Sequence, residues 1–529
     1  MTIRSLAFGA LALLAAPAAV SGQEHEHAPA PGEKLGQVTF PTSCSPEAQA
    51  DFERGTAMLH SFWFGEAERT FREITAADPD CAMASWGLAM TLWGNPMGRV
   101  APSEERAAQG LEAAERAVQL ASTDRERRWA EAALALYREQ ETVDHLTRMR
   151  RHEDAMHVVV EAHPDDVEAA IFYGRAVVAD ASPDDLTFER QLYAATILEP
   201  LFAERPDHPG LAHYLIHAFD APPIAEQGLQ AAMRYAEIAP SAPHALHMPS
   251  HIFTRLGYWD ESIATNRRSA DAEENPDAAV HPLDYMVYAY LQQGRDAEAE
   301  EVVRRAVDLP DRFYRGLIGY NFVAMQARLP LERSRWEEAA ALQVPDSAPA
   351  FVEAITRFAR GIGAGRSGRA GEARLEAEAL AALKSRLEAA NDRYWPTLVE
   401  AQRLAVAAWA ARAEGEDAEA LRLARAAAEL EESVEKHPVT PGPLLPAREL
   451  EGDLLAELDR HEEARAAYER TLEREPRRAR ALFGAARSAE LTGDREAAAR
   501  HYRELVEVMD EASPRTELAS ARSFLASAD

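Results

Sequence analysis

Histidine is the side chain whose placement in this sequence most invites chemistry. Of 17 histidines, five fall between residues 213 and 251. His213 and His217 form an HxxxH pair, while His244, His247 and His251 form HxxHxxxH. Offsets of three, four and seven share a helix face, so each set would line up as a stripe of imidazoles. Neutral imidazole suits zinc and copper, and three such ligands leave an open position on the ion. These five residues are therefore a candidate Zn or Cu set, and Asp220 and Asp284 are candidates to ligate or to orient a ligating ring. A metal-dependent enzyme is the activity such a set would support. Other chemistries find less to work with. There is no HExxH to supply a zinc protease with its base, and no GxSxG elbow to make Ser250 a nucleophile beside His251. No P-loop, GxGxxG, EF-hand or CxxCH occurs either, so no catalytic residue is assigned and nucleotide, calcium and covalent haem go unsupported.

The elements that must position these residues are helical. The 529-residue chain is 47% hydrophobic and 27% charged, and Ala, Glu, Leu and Arg dominate beyond residue 101. That usage favours helix, and β-branched alternating stretches are nearly absent. A net charge of −31 argues against a nucleic-acid partner. A register then emerges: Gly55, Ala67, Phe71 and Pro79 share their spacing with Gly452, Ala464, Tyr468 and Pro476. The small–small–aromatic–proline rhythm resembles the tetratricopeptide repeat family. The resemblance implies an all-α, right-handed superhelical solenoid of about ten helical hairpins. Units would begin near Ala48, Ala82, Val167, Pro209, Pro243, Val280, Tyr320, Ala354, Thr397, Leu445 and Ala479, with residues 124–162 helical but off register. The segments AHYLIHAFDAPP…HALHMPSHIFTRLGYWDESIATN and HSFWFGEAERTF…DPDCAMASWGLAM are also similar to a group of exported bacterial tetratricopeptide proteins. That likeness brings no established activity with it.

In the tetratricopeptide family, fixed positions of each first helix line a concave surface. Carried onto this register, those positions are His60 in the first unit and His213, His217 and Asp220 in a later one. The next two units contribute His244, His247, His251 and Arg255, then His281, Asp284 and Tyr288. The resemblance thus implies a groove for a protein or peptide partner, and a non-enzymatic exported scaffold is the leading expectation, with the metal reading as its alternative. Ser250 falls where a small residue lets two helices approach. Pro249 breaks the pattern, because it cannot donate to the Ala245 carbonyl. Either the helix kinks there or it starts later. Packed helix axes stand about 8–10 Å apart, so the sequence leaves open whether the imidazoles converge.

Residues 1–22 read as a secretory signal, with Arg4 ahead of an apolar run from Leu6 to Val20 and small residues at its end. No cysteine stands at that junction to accept a lipid, and no later run is long enough to span a membrane. A periplasmic or secreted product is expected. In that setting Cys44 and Cys81 form a disulfide, the alternative being two free thiols. Residues 23–43 read as a flexible linker, 44–436 as a solenoid, 437–446 (HPVTPGPLLP) as a Pro-rich hinge, and 447–529 as a C-terminal repeat pair.

Overall fold

Helix starts are written into the sequence as prolines and caps. Pro46, Pro209, Pro243 and Pro276 each occupy the first turn of a helix, where a missing N–H costs nothing. Ser45, Thr123, Asp144, Asp166 and Asn275 cap their helices by accepting a backbone N–H. The computed structural model describes residues 32–307 and 316–528, and among them every regular element is a helix. The signal segment and the linker up to residue 31 lie outside the described residues.

The repeat register holds. First helices begin at Pro46, Ala82, Val167, Pro209, Pro243, Pro276, Gly316, Ala350, Trp395, Ala447 and Ala479. The off-register stretch supplies one more pair, Asp124–Ala135 and His145–Ala162, and Thr516–Ala528 covers the end of the stack. The aromatic position explains the packing. The Phe71 ring is wedged between two glycines: a Cβ on Gly87 would lie 2.4 Å from it and one on Gly55 3.1 Å. Tyr468 repeats the arrangement against Gly452 and Gly484, at 2.8 and 2.5 Å. In these two places one aromatic ties a hairpin to the next, and a Cβ on Gly87, Gly452 or Gly484 would clash with it.

The stack also turns back on itself. Helix Pro46–His60 meets helix Pro209–Ala218, with Gly210 against the His60 ring. Further along, Gln292 accepts the Ala479 N–H, Ser513 donates to the Gly294 carbonyl, and Arg515 pairs with Asp296. Residues 34–529 form one compact unit, and much of the solenoid's inner face is filled by its own chain.

Three sequence expectations can be set against this. Cys44 and Cys81 are joined in a disulfide that links the starts of the first two hairpins. Residues 34–43 do not behave as a flexible linker. Phe40 is fully buried among Phe52, Trp86 and Trp129, and the Gln37 N–H bonds the Asp207 carbonyl. Leu35 and Phe40 anchor that polar stretch, and Glu53, Gln49, Arg125 and Ser241 take its backbone groups. The Pro-rich stretch 437–446 is tied down rather than free to hinge. Its prolines break the helix and leave carbonyls without helical partners, which buried donors supply instead. Arg328 donates to the Pro443 and Gly442 carbonyls and to the Thr440 hydroxyl, and Asn321 donates to the Val439 carbonyl. Among the described residues, no helix is long and apolar enough to cross a membrane.

Candidate metal centre

Three consecutive first helices carry the histidines. His213 and His217 lie one turn apart on helix Pro209–Ala218. The next repeat is split by its proline into Pro243–His247 and Pro249–Leu256. Met248 between them keeps helical angles, so Pro249 kinks the helix rather than ending it. His244 and His247 lie before the kink and His251 after it. His281 precedes Pro282 in helix Pro276–Gln292.

The six imidazoles gather as two triads. His213, His217 and His244 form one, and His247, His251 and His281 the other; in each, the ligand nitrogens all lie within 4.8 Å of one another. In the first, Nε2 of His217 and Nε2 of His244 stand 3.1 and 3.2 Å from Nε2 of His213. In the second, Nε2 of His247 and Nε2 of His251 are 3.0 Å apart, and the His247 and His281 ring centres are 4.4 Å apart.

The outer nitrogens decide where the protons are. His213 Nδ1 faces the His60 carbonyl at 2.6 Å, which can only accept. His251 Nδ1 faces the Asp220 carboxylate at 2.8 Å. His247 Nδ1 faces Asn266 Oδ1 at 2.6 Å, and the Asn266 amide nitrogen donates to the Ser262 carbonyl, which fixes the amide orientation. All three rings therefore carry their proton on Nδ1, and their Nε2 lone pairs point inward. Burial, followed by the neighbouring imidazoles, pushes His213, His217, His244, His247 and His281 well below the usual histidine range, and burial also lowers His251. With burial disfavouring a second proton and Nδ1 carrying the first, the His247–His251 contact sets one bare lone pair against another. A cation resolves that arrangement. Nitrogens bonded to one tetrahedral ion at about 2.0–2.1 Å are about 3.3 Å from each other, close to the spacing found here.

The surroundings hold these rings in place. Burial works against the charge of Asp220, yet Lys436, Arg255 and the His251 ring hold its carboxyl well below the usual range. Arg255 is committed to Asp220 and Glu435. Phe62 takes a left-handed backbone angle, φ 52°, which is uncommon for a bulky residue. That turn lays its ring 4.4 Å from His213 and 5.4 Å from His244. His217, His244 and His281 keep partial exposure while the other three rings are buried.

A third histidine group is of another kind. Glu168 bridges His60 Nε2 at 3.0 Å and His208 Nε2 at 2.9 Å. His208 Nδ1 accepts the Leu211 N–H, and His60 Nδ1 meets the Tyr214 hydroxyl at 2.9 Å. Every ring nitrogen there is matched.

Several expected groove residues therefore lie elsewhere. His60 belongs to that third group, facing inward because the solenoid's turn covers it. Asp284 is fully buried with Arg328 and Asn321. Tyr288 is fully buried, its ring between the guanidiniums of Arg328 and Arg478. Ser250 turns toward Asn266 on the paired helix. The sequence reading left His281 out of the metal set and passed over His208, Glu168, Asn266 and Phe62. His281 continues the same helix-face register one repeat on, a signal that could have included it. Hydrogen bonds of His208, Glu168 and Asn266 span 16 to 108 residues, and Phe62 meets His213 from another repeat, contacts that no local pattern announces.

Fold and site together define a helical-repeat protein with paired histidine triads on its inner face. Its hairpins are similar to tetratricopeptide repeats in register and packing. No protein-family model matches the chain, and no curated protein matches it. Among solved structures, the crystal structure of yeast Tom70 aligns over 91% of this chain and 95% of that one, at 12% identity and a TM-score of 0.29. That likeness is too slight to argue from, and the fold rests on the helix order and packing described above.

Proposed function

We propose that this protein is an exported helical-repeat scaffold whose inner face binds a transition metal through its two histidine triads. One observation carries the reading: the His247 and His251 Nε2 lone pairs meet at 3.0 Å, with both Nδ1 protons already given to fixed acceptors. Such outward bonds are the ordinary supports of metal-ligating histidines. Copper and zinc are among the ions that an all-imidazole set suits. Helical solenoids also present surfaces to protein partners, and a scaffold role at the outer surface is compatible with the metal. A peptide lying along the histidines themselves would have little room, since His213, His247, His251 and Arg255 are all buried.

The test is metal analysis by mass spectrometry on untagged protein, alone and after loading with Cu²⁺ or Zn²⁺ and desalting. Stoichiometric metal that falls in the His247→Ala, His251→Ala double variant supports the reading. Sub-stoichiometric metal, unchanged in that variant, would overturn it and leave a scaffold without a metal.

A further inference from the structure

The two triads are neighbours, and their relation goes beyond metal binding as such. The His217 and His251 ring centres are 5.9 Å apart, and those of His244 and His247 are 6.0 Å apart. A ligating ring centre stands about 3 Å from its ion, given nitrogen–metal bonds of about 2 Å. Rings on two different ions can thus approach this closely while the ions sit about 3.5–4 Å apart, the spacing of two-metal sites.

Charge points the same way. The six candidate ligands are all imidazoles, which bind a metal as uncharged donors. The two aspartates of the same helix row are already engaged: Asp220 by Arg255, Lys436 and His251, and Asp284 by Arg328 and Asn321. Two dications held close together by imidazole alone would repel each other with no protein anion to offset them. The counter-charge has to arrive with a ligand. Three imidazoles per ion leave a coordination position for it. The partly exposed rings, His217 and His244 in one triad and His281 in the other, put an accessible side on both.

Resting on the metal reading above, we propose that the triads form a single dinuclear copper site that takes one small anionic ligand, such as hydroxide or azide, as a bridge between its two ions. Each ion keeps three protein nitrogens, and the bridging atom donates a lone pair to both. No bond in the protein is made or broken, and no electron is transferred.

Copper(II) with azide as the probe tests this. Untagged full-length protein is loaded with Cu²⁺ and desalted, its copper is counted by mass spectrometry, and its spins are counted by electron paramagnetic resonance with and without azide. A shared bridge couples the two unpaired electrons and quenches the signal. The expected result is about two coppers per chain and, with azide, less than about a fifth of the copper visible as spin. His281→Asn and, separately, His244→Asn should each lower the copper to about one ion and restore about one spin per copper. The two variants change different helices, so misfolding of one leaves the other to report. Two coppers that remain fully visible with azide would mean independent sites and overturn the bridge while leaving the metal function intact. One copper in the wild type would do the same. No bound copper would overturn both readings.

Discussion

Two sets of buried histidines in this protein look alike by distance and differ in hydrogen bonding. In the His60–Glu168–His208 group, donors and acceptors alternate: imidazole N–H to carboxylate, hydroxyl and amide N–H to imidazole nitrogen. In the paired triads His213, His247 and His251 point their N–H groups outward to the His60 carbonyl, Asn266 and Asp220, and the His247 and His251 acceptors meet inward. Nearly all buried polar groups find a partner. Acceptors that meet without a donor between them, as at His247 and His251, are what the proposed metal reading rests on, whereas alternating partners are structural glue. The two sets also touch, since the carbonyl of His60 orients His213. The structural group therefore supports the chemical one.

The largest expected effect comes from breaking the ligand side of this contrast. Replacing His213 and His217 together with Asn should remove one whole ion per chain. The His208→Gln variant should keep the full wild-type complement. Mass-spectrometric metal counts on both variants check it, and equal losses would erase the distinction between the two sets.

Breaking the structural side should act on stability instead. Glu168→Ala strands two imidazole N–H groups in the interior. Removing one member of such a buried charged network costs about 3–5 kcal/mol, read as a lower urea midpoint at pH 7. The metal count of the folded variant should not change. A smaller effect is expected from Asn266→Ala, which removes the acceptor that fixes the His247 ring. Losing such a support weakens metal affinity by about 10–100-fold, measurable by competition with a chromophoric chelator, with the count at saturation preserved.

The architecture was largely legible from residues 55–79 and 452–476 because repeat packing depends on local spacing: a glycine, an aromatic and a proline at fixed intervals. The helix-face register likewise brought six histidines of three repeats to one side. What the register could not supply was the closing of the inner face. Phe62 reaching His213 and Arg328 holding Thr440 and Gly442 depend on the solenoid's winding back, and Phe40 reaching Trp129 on the docking of the segment before the first helix. Asp284 and Tyr288 were read as groove residues for that reason. The surface they face is covered by residues 437–446 and by Arg328 and Arg478. Nor could spacing separate His60 from the metal set, because the distinction lies in which atom each ring nitrogen meets.

The smallest expected effect sets two buried acids side by side. With two imidazoles opposing its burial, Glu168 is pulled down to about 2. Glu431 accepts one backbone N–H, from Ala447, and burial pushes it up to about 7. A carboxyl whose folded value is raised binds its proton more tightly folded than unfolded. Its stabilising contribution is fully present below the unfolded value, about 4.5, and is lost as pH rises through about 7. Glu431 keeps some exposure at the cavity it shares with Tyr394, Lys436 and Arg474, so the loss is screened to about 1–3 kcal/mol. Glu431→Gln keeps the acceptor for the Ala447 N–H without the charge. It should match the wild type in urea unfolding at pH 4.5 and exceed it by that amount at pH 8. An equal offset at both pH values would show that the substitution acts through packing, and that Glu431 carries no uncompensated charge.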